Sequence, residues 1–129
     1  MSVPLQHATS YPAVLGRLLV SARISCNLEQ QAVADAVGVS RSTWSRIENG
    51  EIALTIEQLS AACAMLKIEP GQLVQQADAA SKKLEGRGVV VSRARWESAG
   101  KAVGLGIVVM SAVALGTLIK NLLLDDEKK

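Results

Sequence analysis

Aromatic residues are almost absent from this chain of 129 residues: they make up 2% of it, and phenylalanine does not occur. Hydrophobic residues nonetheless account for 49%, so any core must be built from aliphatic side chains. Segments that alternate apolar and polar residues and are rich in β-branched or aromatic types, as strands are, are also scarce. The sequence therefore predicts an all-α fold, with one small domain and an extension.

Cysteine and histidine are rare as well, since the chain has only Cys26, Cys63 and a single histidine, His7. Two isolated thiols are too few for a disulfide framework or a zinc site. One isolated histidine gives no Ser-His-acid set, and the sequence has no glycine-rich loop of the kind that cradles phosphate. We therefore expect no enzyme activity, no metal and no cofactor.

Positive charge is scarce in the first two thirds of the chain. Residues 1–80 hold five basic and seven acidic side chains, whereas residues 81–101 hold six basic and two acidic ones. Neutralisation of phosphates normally supplies much of a protein's affinity for DNA. If this domain binds DNA, one copy should bind weakly, and a second copy or the basic connector would have to add affinity.

Five short helices are predicted in a domain over residues 13–85, after a flexible tail over 1–12. An apolar stripe at helical spacing marks the first helix, and capping or turn residues bound the others. These boundary residues are Asn27, Gly38, Ser40, Asn49, Gly50, Thr55 with Gln58, and Pro70. The breaker-rich "EGRG" at 85–88 predicts a hinge, and a basic connector over 86–101 follows.

An uncharged run of 18 residues, 102–119, lies between Lys101 and Lys120. As a helix it would be about 27 Å long, close to the roughly 30 Å of a bilayer's hydrocarbon core. We interpret it as a transmembrane helix before a short polar tail over 120–129; the alternative is a buried core helix. More Lys and Arg precede the run than follow it, which predicts a single-pass protein of the bacterial inner membrane. Its domain would lie in the cytoplasm, and membrane lipid would be a partner.

Small residues recur every four positions through this region, interrupted only by Val108. Such a stripe lets two membrane helices approach closely. The small residues are Gly100, Gly104, Ala112 and Gly116. They predict helix–helix pairing in the membrane, and hence a homodimer or a higher oligomer.

The segment "LEQQAVADAVGVSRSTWSRIENGE" (28–51) resembles the helix-turn-helix of the Cro/lambda-repressor (Xre) family, and the resemblance covers about residues 14–76. The matching positions are Leu28, Gln30, Ala34, Gly38, Val39, Ser40, Thr43, Trp44, Ser45, Arg46, Ile47, Glu48, Asn49 and Gly50. The resemblance implies a five-helix domain that binds double-stranded DNA. Glu29 departs from the pattern, because the family usually has Ser or Thr at this N-cap. Its carboxylate would sit close to where a phosphate should dock.

The spacing of the third helix gives it an inward and an outward face, with Val39, Trp44 and Ile47 pointing inward. The outward face carries Arg41, Ser42, Ser45 and Arg46. Arginine pairs with guanine and serine with several bases, and the resemblance implies that these four residues read bases. Arg46 is equally suited to a phosphate contact.

The resemblance assigns two further sets of residues. It implies that Gln30, Thr43 and Asn49 position phosphates. It also implies that Arg23 and Glu48 form a structural ion pair. The sequence thus predicts a membrane-tethered, sequence-specific DNA-binding transcriptional regulator. One alternative is a RodZ-like membrane-anchored scaffold, whose domain of this fold binds a protein partner. Another is a soluble antitoxin-like repressor.

Overall fold

A computed structural model of the protein describes residues 6–94 and 107–127. In chain order its elements are β1 (Gln6–Ser10), α1 (Tyr11–Ser25), α2 (Gln30–Val37), α3 (Arg41–Glu48), α4 (Ile56–Leu66), α5 (Pro70–Gly86), β2 (Val90–Ser92), β3 (Ile107–Val109) and α6 (Ala112–Glu127). The predicted mostly helical helix-turn-helix architecture is confirmed, because α1 to α5 follow one another as expected.

Local signals explain where the central helices begin and end. The Ser40 side chain accepts a hydrogen bond from the Thr43 backbone at the start of α3. Thr55 and Gln58 form the predicted capping box of α4. Gly38 ends α2 in the left-handed conformation, with φ of 86°, which glycine adopts without steric cost. The turn between α2 and α3 is therefore encoded in the sequence around it.

The core of the helical part is aliphatic except for Trp44, which is fully buried together with Val33, Ala34 and Leu19. Helix α1 crosses the end of α3 at very short range. A Cβ atom at Gly16 would collide with the backbone carbonyl oxygens of Ile47 and Glu48. Glycine at position 16 therefore sets the distance between these two helices.

The all-α prediction is wrong in one respect, since the described residues also contain a three-stranded parallel sheet. Strand β1 lies in the middle, with β2 and β3 on either side. Ala8 is opposite Val90 in one pair and Val109 in the other. The flexible tail predicted over 1–12 differs accordingly: residues 6–10 form β1, and its last three residues are buried. The sheet left no periodic signal, because β2 and β3 have only three residues each and the five residues of β1 do not alternate in burial.

The predicted continuous transmembrane helix over 102–119 is also wrong within the described residues. Ile107–Val109 is a strand, and α6 begins only at Ala112, where Ser111 Oγ accepts from the Ala114 backbone. Across 6–94 and 107–127, no helix is both long and apolar enough to cross a membrane. The inner-membrane location stays a prediction.

The apolar side chains of α6 pack against the helical domain instead. Leu115, Ile119 and Leu122 are buried, and α6 contacts both α1 and α5. This is the alternative of a buried core helix, and it arises because α1 and α5 present enough apolar surface to cover one face of α6. Hydrophobicity alone does not distinguish such a helix from a membrane span.

The small-residue stripe predicted to join two membrane helices lies only partly within the described structure, and pairing through it stays a prediction. Gly100 and Gly104 lie outside the described residues. Ala112 is the first residue of α6, and Gly116 faces the Arg17 side chain of α1, whose Cδ would lie 3.3 Å from an added Cβ. Within the described structure, then, Gly116 serves a contact inside one chain.

Candidate nucleic-acid interface

Helix α3 presents a polar face to solvent and an apolar face to the core, as predicted. Trp44 and Ile47 are buried, whereas Arg41, Ser42 and Arg46 are exposed and Ser45 is half-buried. The helix is short and begins at a well-formed cap, so its outward side chains start from a fixed backbone. A helix with this polarity can enter the major groove of DNA.

The structure brings the four predicted base-reading residues together with one residue of α2. They line a shallow surface groove of about 270 Å³. Its walls are Gln30, Arg41, Ser42, Ser45 and Arg46. Two guanidinium groups, two hydroxyls and an amide therefore converge on one open surface, where all can donate hydrogen bonds.

Beneath this surface lies a buried carboxylate, that of Glu48, which is 1% exposed. Its Oε2 accepts hydrogen bonds from Arg23 Nε at 2.7 Å and from Trp44 Nε1 at 2.8 Å. Its Oε1 accepts from Gln30 Nε2 at 2.7 Å and from Arg23 Nη2 at 3.3 Å. The predicted Arg23–Glu48 pair is thus one part of a larger network, which joins α1, α2 and α3.

Gln30 therefore has a structural contact in addition to the phosphate contact that was predicted for it. One N–H of its amide is used on Glu48, and the amide group carries two. The side chain lies at the start of α2 and lines the α3 groove, so the second N–H is available to a ligand bound there. The bond to Glu48 fixes the orientation of the amide.

Thr43 and Asn49, also predicted to position phosphate, lie at the two ends of α3. The Thr43 hydroxyl accepts from Ser40 Oγ at 2.9 Å, and Asn49 Oδ1 accepts from Arg17 Nη2 at 3.0 Å. Both side chains thus contribute to fixing the ends of the helix.

Arg17 is a functional residue that the sequence analysis missed. Its guanidinium donates to the backbone carbonyl of Glu48 through both Nε and Nη2, which satisfies a carbonyl at the end of α3 that lacks a partner within the helix. Burial lowers the pKa of Arg17, and the nearby Glu48 carboxylate opposes that shift. The signal in the sequence was Gly16, since a glycine inside a helical pattern usually has a packing reason.

Two carboxylates border the interface. Glu51 Oε2 lies 3.6 Å from Arg46 Nε, and both side chains are more than half exposed, so the pair is weak and Arg46 can exchange it for a phosphate or a base. Glu29 is exposed at the N-cap of α2 and makes no side-chain capping bond there. That its carboxylate opposes a docking phosphate stays a prediction.

This arrangement of α2, a tight glycine turn and an exposed polar α3 defines a helix-turn-helix domain. Residues 14–77 match the family model described as a helix-turn-helix domain. The chain is similar to the clp gene regulator ClgR from Corynebacterium glutamicum in two crystal structures. One has 22% identity and a TM-score of 0.57, and covers 60% of this chain and 82% of that one. The other has 25% identity and a TM-score of 0.50, and covers 54% and 90%.

A third similar structure is that of the restriction-modification controller protein C.AhdI from Aeromonas hydrophila. It has 26% identity and a TM-score of 0.46, and covers 48% of this chain and 94% of that one. No curated protein sequence matches the chain.

Proposed function

We propose that this protein is a sequence-specific DNA-binding transcription regulator, which inserts α3 into the major groove. The observation that carries the proposal is the exposed face of α3, where two arginines and two serines surround one groove. The match of residues 14–77 to a helix-turn-helix family model supports it, as does the similarity to a crystal structure of a gene regulator, ClgR, at 25% identity.

The dimensions and the rigidity of α3 suit this role. Its eight residues make a rod about 12 Å long, which fits a major groove that is about 12 Å wide. The Glu48 network and Arg17 fix its C-terminal end, and Ser40 fixes its start. Arg41 and Ser42, in the first turn, are the positions that reach base edges when a recognition helix docks by its N-terminal end.

Phosphate contacts in this proposal come from the second N–H of Gln30 and from the backbone at the start of α2, where the helix dipole favours an anion. Glu29 reduces that attraction, and residues 1–80 hold more acidic than basic side chains. Binding by a pair of protein copies on two half-sites makes up for the weak affinity of one copy. We therefore propose that the regulator acts as a homodimer.

The test is selection of duplexes from a randomised pool by the full chain, followed by titration of the selected site and of a shuffled duplex at several salt concentrations. The proposal predicts an enriched motif in two related halves, and specific affinity at least about 10³-fold above that for shuffled DNA. Equal affinity for both duplexes, or no binding to either, would contradict it. The latter result would favour a domain that binds a protein partner.

A further inference from the structure

A second surface groove lies between α1 and α6, and Arg17 is one of the residues that line it. It has a volume of about 440 Å³, within the range of about 300–1,000 Å³ that is usual for small-molecule sites. We call it the α1–α6 groove. Its apolar walls are Leu18, Val20, Ile24, Ile119, Leu123 and Leu124.

The walls of this groove carry much of the exposed apolar surface in the described residues. Ile24 is 61% exposed and Leu124 45% exposed. Contiguous exposed apolar surface marks an interaction site, whereas single exposed apolar residues are ordinary. The groove therefore has the lining that an aliphatic chain would cover.

The polar groups among the described walls of the α1–α6 groove are suited to an anion. Arg17 and Lys120 line it together with the hydroxyls of Ser21 and Ser25, and none of the described side chains in its walls is acidic. Arg17 uses Nε and Nη2 on α3, while its Nη1 makes no hydrogen bond within the described residues. Two cations beside apolar walls fit a ligand with a carboxylate at one end and an alkyl chain behind it.

The same arginine connects the groove to the DNA-reading helix. Gly116 of α6 lies against the Arg17 stem, and the guanidinium of Arg17 binds the Glu48 carbonyl and Asn49 at the end of α3. A carboxylate in the groove would compete with these acceptors for the guanidinium. A ligand there can therefore change how firmly the end of α3 is fixed.

From this geometry we propose that the α1–α6 groove binds a free medium-chain alkyl carboxylate, and that its binding loosens α3 and weakens DNA binding. The effect on DNA rests on the proposed function, whereas ligand binding itself does not. The two parts are therefore tested separately.

Calorimetric titration of the full chain with sodium decanoate tests the binding part without DNA. The expected result is saturable binding of one decanoate per chain. Butyrate, with the same charge and a short chain, and decyltrimethylammonium, with a long chain and the opposite charge, should each bind at least about tenfold more weakly. No saturable binding of decanoate would overturn the proposal.

Two variants test whether decanoate binds in the α1–α6 groove, and each has a matched control. Lys120→Gln should weaken decanoate binding roughly two- to fivefold, because it removes one exposed ion pair, and Leu124→Asp roughly tenfold or more. Lys82→Gln, on exposed α5 surface, and Val113→Asp, on α6 but outside the groove, should leave binding unchanged. Equal effects of variant and control would overturn the assignment to this groove.

Sedimentation and gel-shift measurements complete the test. A chain that self-associates, that Leu124→Asp dissociates and that does not bind decanoate would overturn the proposal. The groove would then be occupied by a second copy of the chain. If decanoate binds and the affinity of the chain for the selected duplex does not fall, the proposed effect of the ligand on DNA binding through Arg17 is overturned. If the ligand-free chain binds no DNA, the proposed function fails, and the calorimetric titration still shows whether the groove binds decanoate.

Discussion

The indole Nε1 of Trp44 donates a 2.8 Å hydrogen bond to Oε2 of Glu48, one helical turn further along α3. Both side chains are buried, and this bond satisfies the only polar atom of the Trp44 side chain. The tryptophan is thus part of the core and of the carboxylate network, which excludes it from stacking on a base. Helix α3 is held from its inner face by this contact.

Glu48→Gln tests the importance of this network for stability. Glutamine keeps the shape of the Glu48 side chain but lacks its charge. Arg23, whose side chain is 14% exposed, is then left largely buried without a counter-charge. We expect the free energy of unfolding to fall by about 3–5 kcal/mol, measured by urea denaturation. The matched control is Glu51→Gln, which removes the exposed pair with Arg46 and should cost less than about 1 kcal/mol. Equal stability of both variants would contradict the network's role.

Gly16→Ala tests the close crossing of α1 and α3. The added methyl group would lie 2.7 Å from the Ile47 carbonyl oxygen and closer still to that of Glu48. Overpacking of this kind costs about 1–3 kcal/mol. Gly71→Ala is the control, because nothing lies within 4 Å of its added Cβ, and it should be neutral or stabilise by up to about 1 kcal/mol. If Gly16→Ala also proves neutral, the crossing distance described here is wrong.

Leu115→Ala tests whether α6 belongs to the core of the domain. Leu115 is fully buried, whereas Val113, two residues earlier, is 78% exposed. We expect Leu115→Ala to lower the free energy of unfolding by about 2–5 kcal/mol, and Val113→Ala to change it by less than about 0.5 kcal/mol. A Leu115→Ala protein as stable as the wild type would instead indicate a helix that is separate from the domain, such as the membrane span predicted from hydrophobicity.

The pH dependence of Tyr11 tests the junction between the start of α1 and α5. Burial, together with a 2.8 Å hydrogen bond that its hydroxyl donates to Asp78, raises the pKa of Tyr11 to about 12. Because the folded value lies above the unfolded value of about 10, this contribution to stability is complete below pH 10. It is lost as the pH rises from 10 through 12.

Tyr11 is the single tyrosine of the chain, so an ultraviolet titration of phenolate reports on it alone. We expect a midpoint near pH 12 in the wild type and a lower one in Asp78→Asn, which removes the acceptor's charge. A wild-type midpoint near 10 would show that the hydroxyl is free of Asp78.

The helix-turn-helix was predictable because its signals are local. Gly38 and Ser40 stand at the turn itself, and Thr55 with Gln58 shows the start of α4 within four residues. The sheet was not predictable, since β1 and β2 pair Ala8 with Val90, β1 does not alternate apolar and polar residues, and β2, with three residues, is too short to show a period of two. Such pairing is decided by tertiary contacts.

The site was predicted unevenly for a similar reason. Arg41, Ser42 and Arg46 follow from the helical period once Trp44 faces inward. The contribution of Arg17 depends on how closely α1 approaches α3, and no spacing along the chain encodes that distance. A continuous helix over 102–119 was predicted because a run of apolar residues does not show whether lipid or protein covers it, and the described part of this run instead holds β3 and the start of α6.

The central claim is that α3 reads base edges, and Arg41→Ala tests it most directly. Affinities of the full chain for a selected duplex and for a shuffled duplex are measured by gel shift at fixed salt, with Lys82→Ala as control. We predict that Arg41→Ala loses about 1–3 kcal/mol on the selected duplex and much less on the shuffled one, whereas Lys82→Ala leaves the ratio unchanged. An equal loss on both duplexes would demote Arg41 to a phosphate contact, and no loss on either would contradict DNA reading by α3.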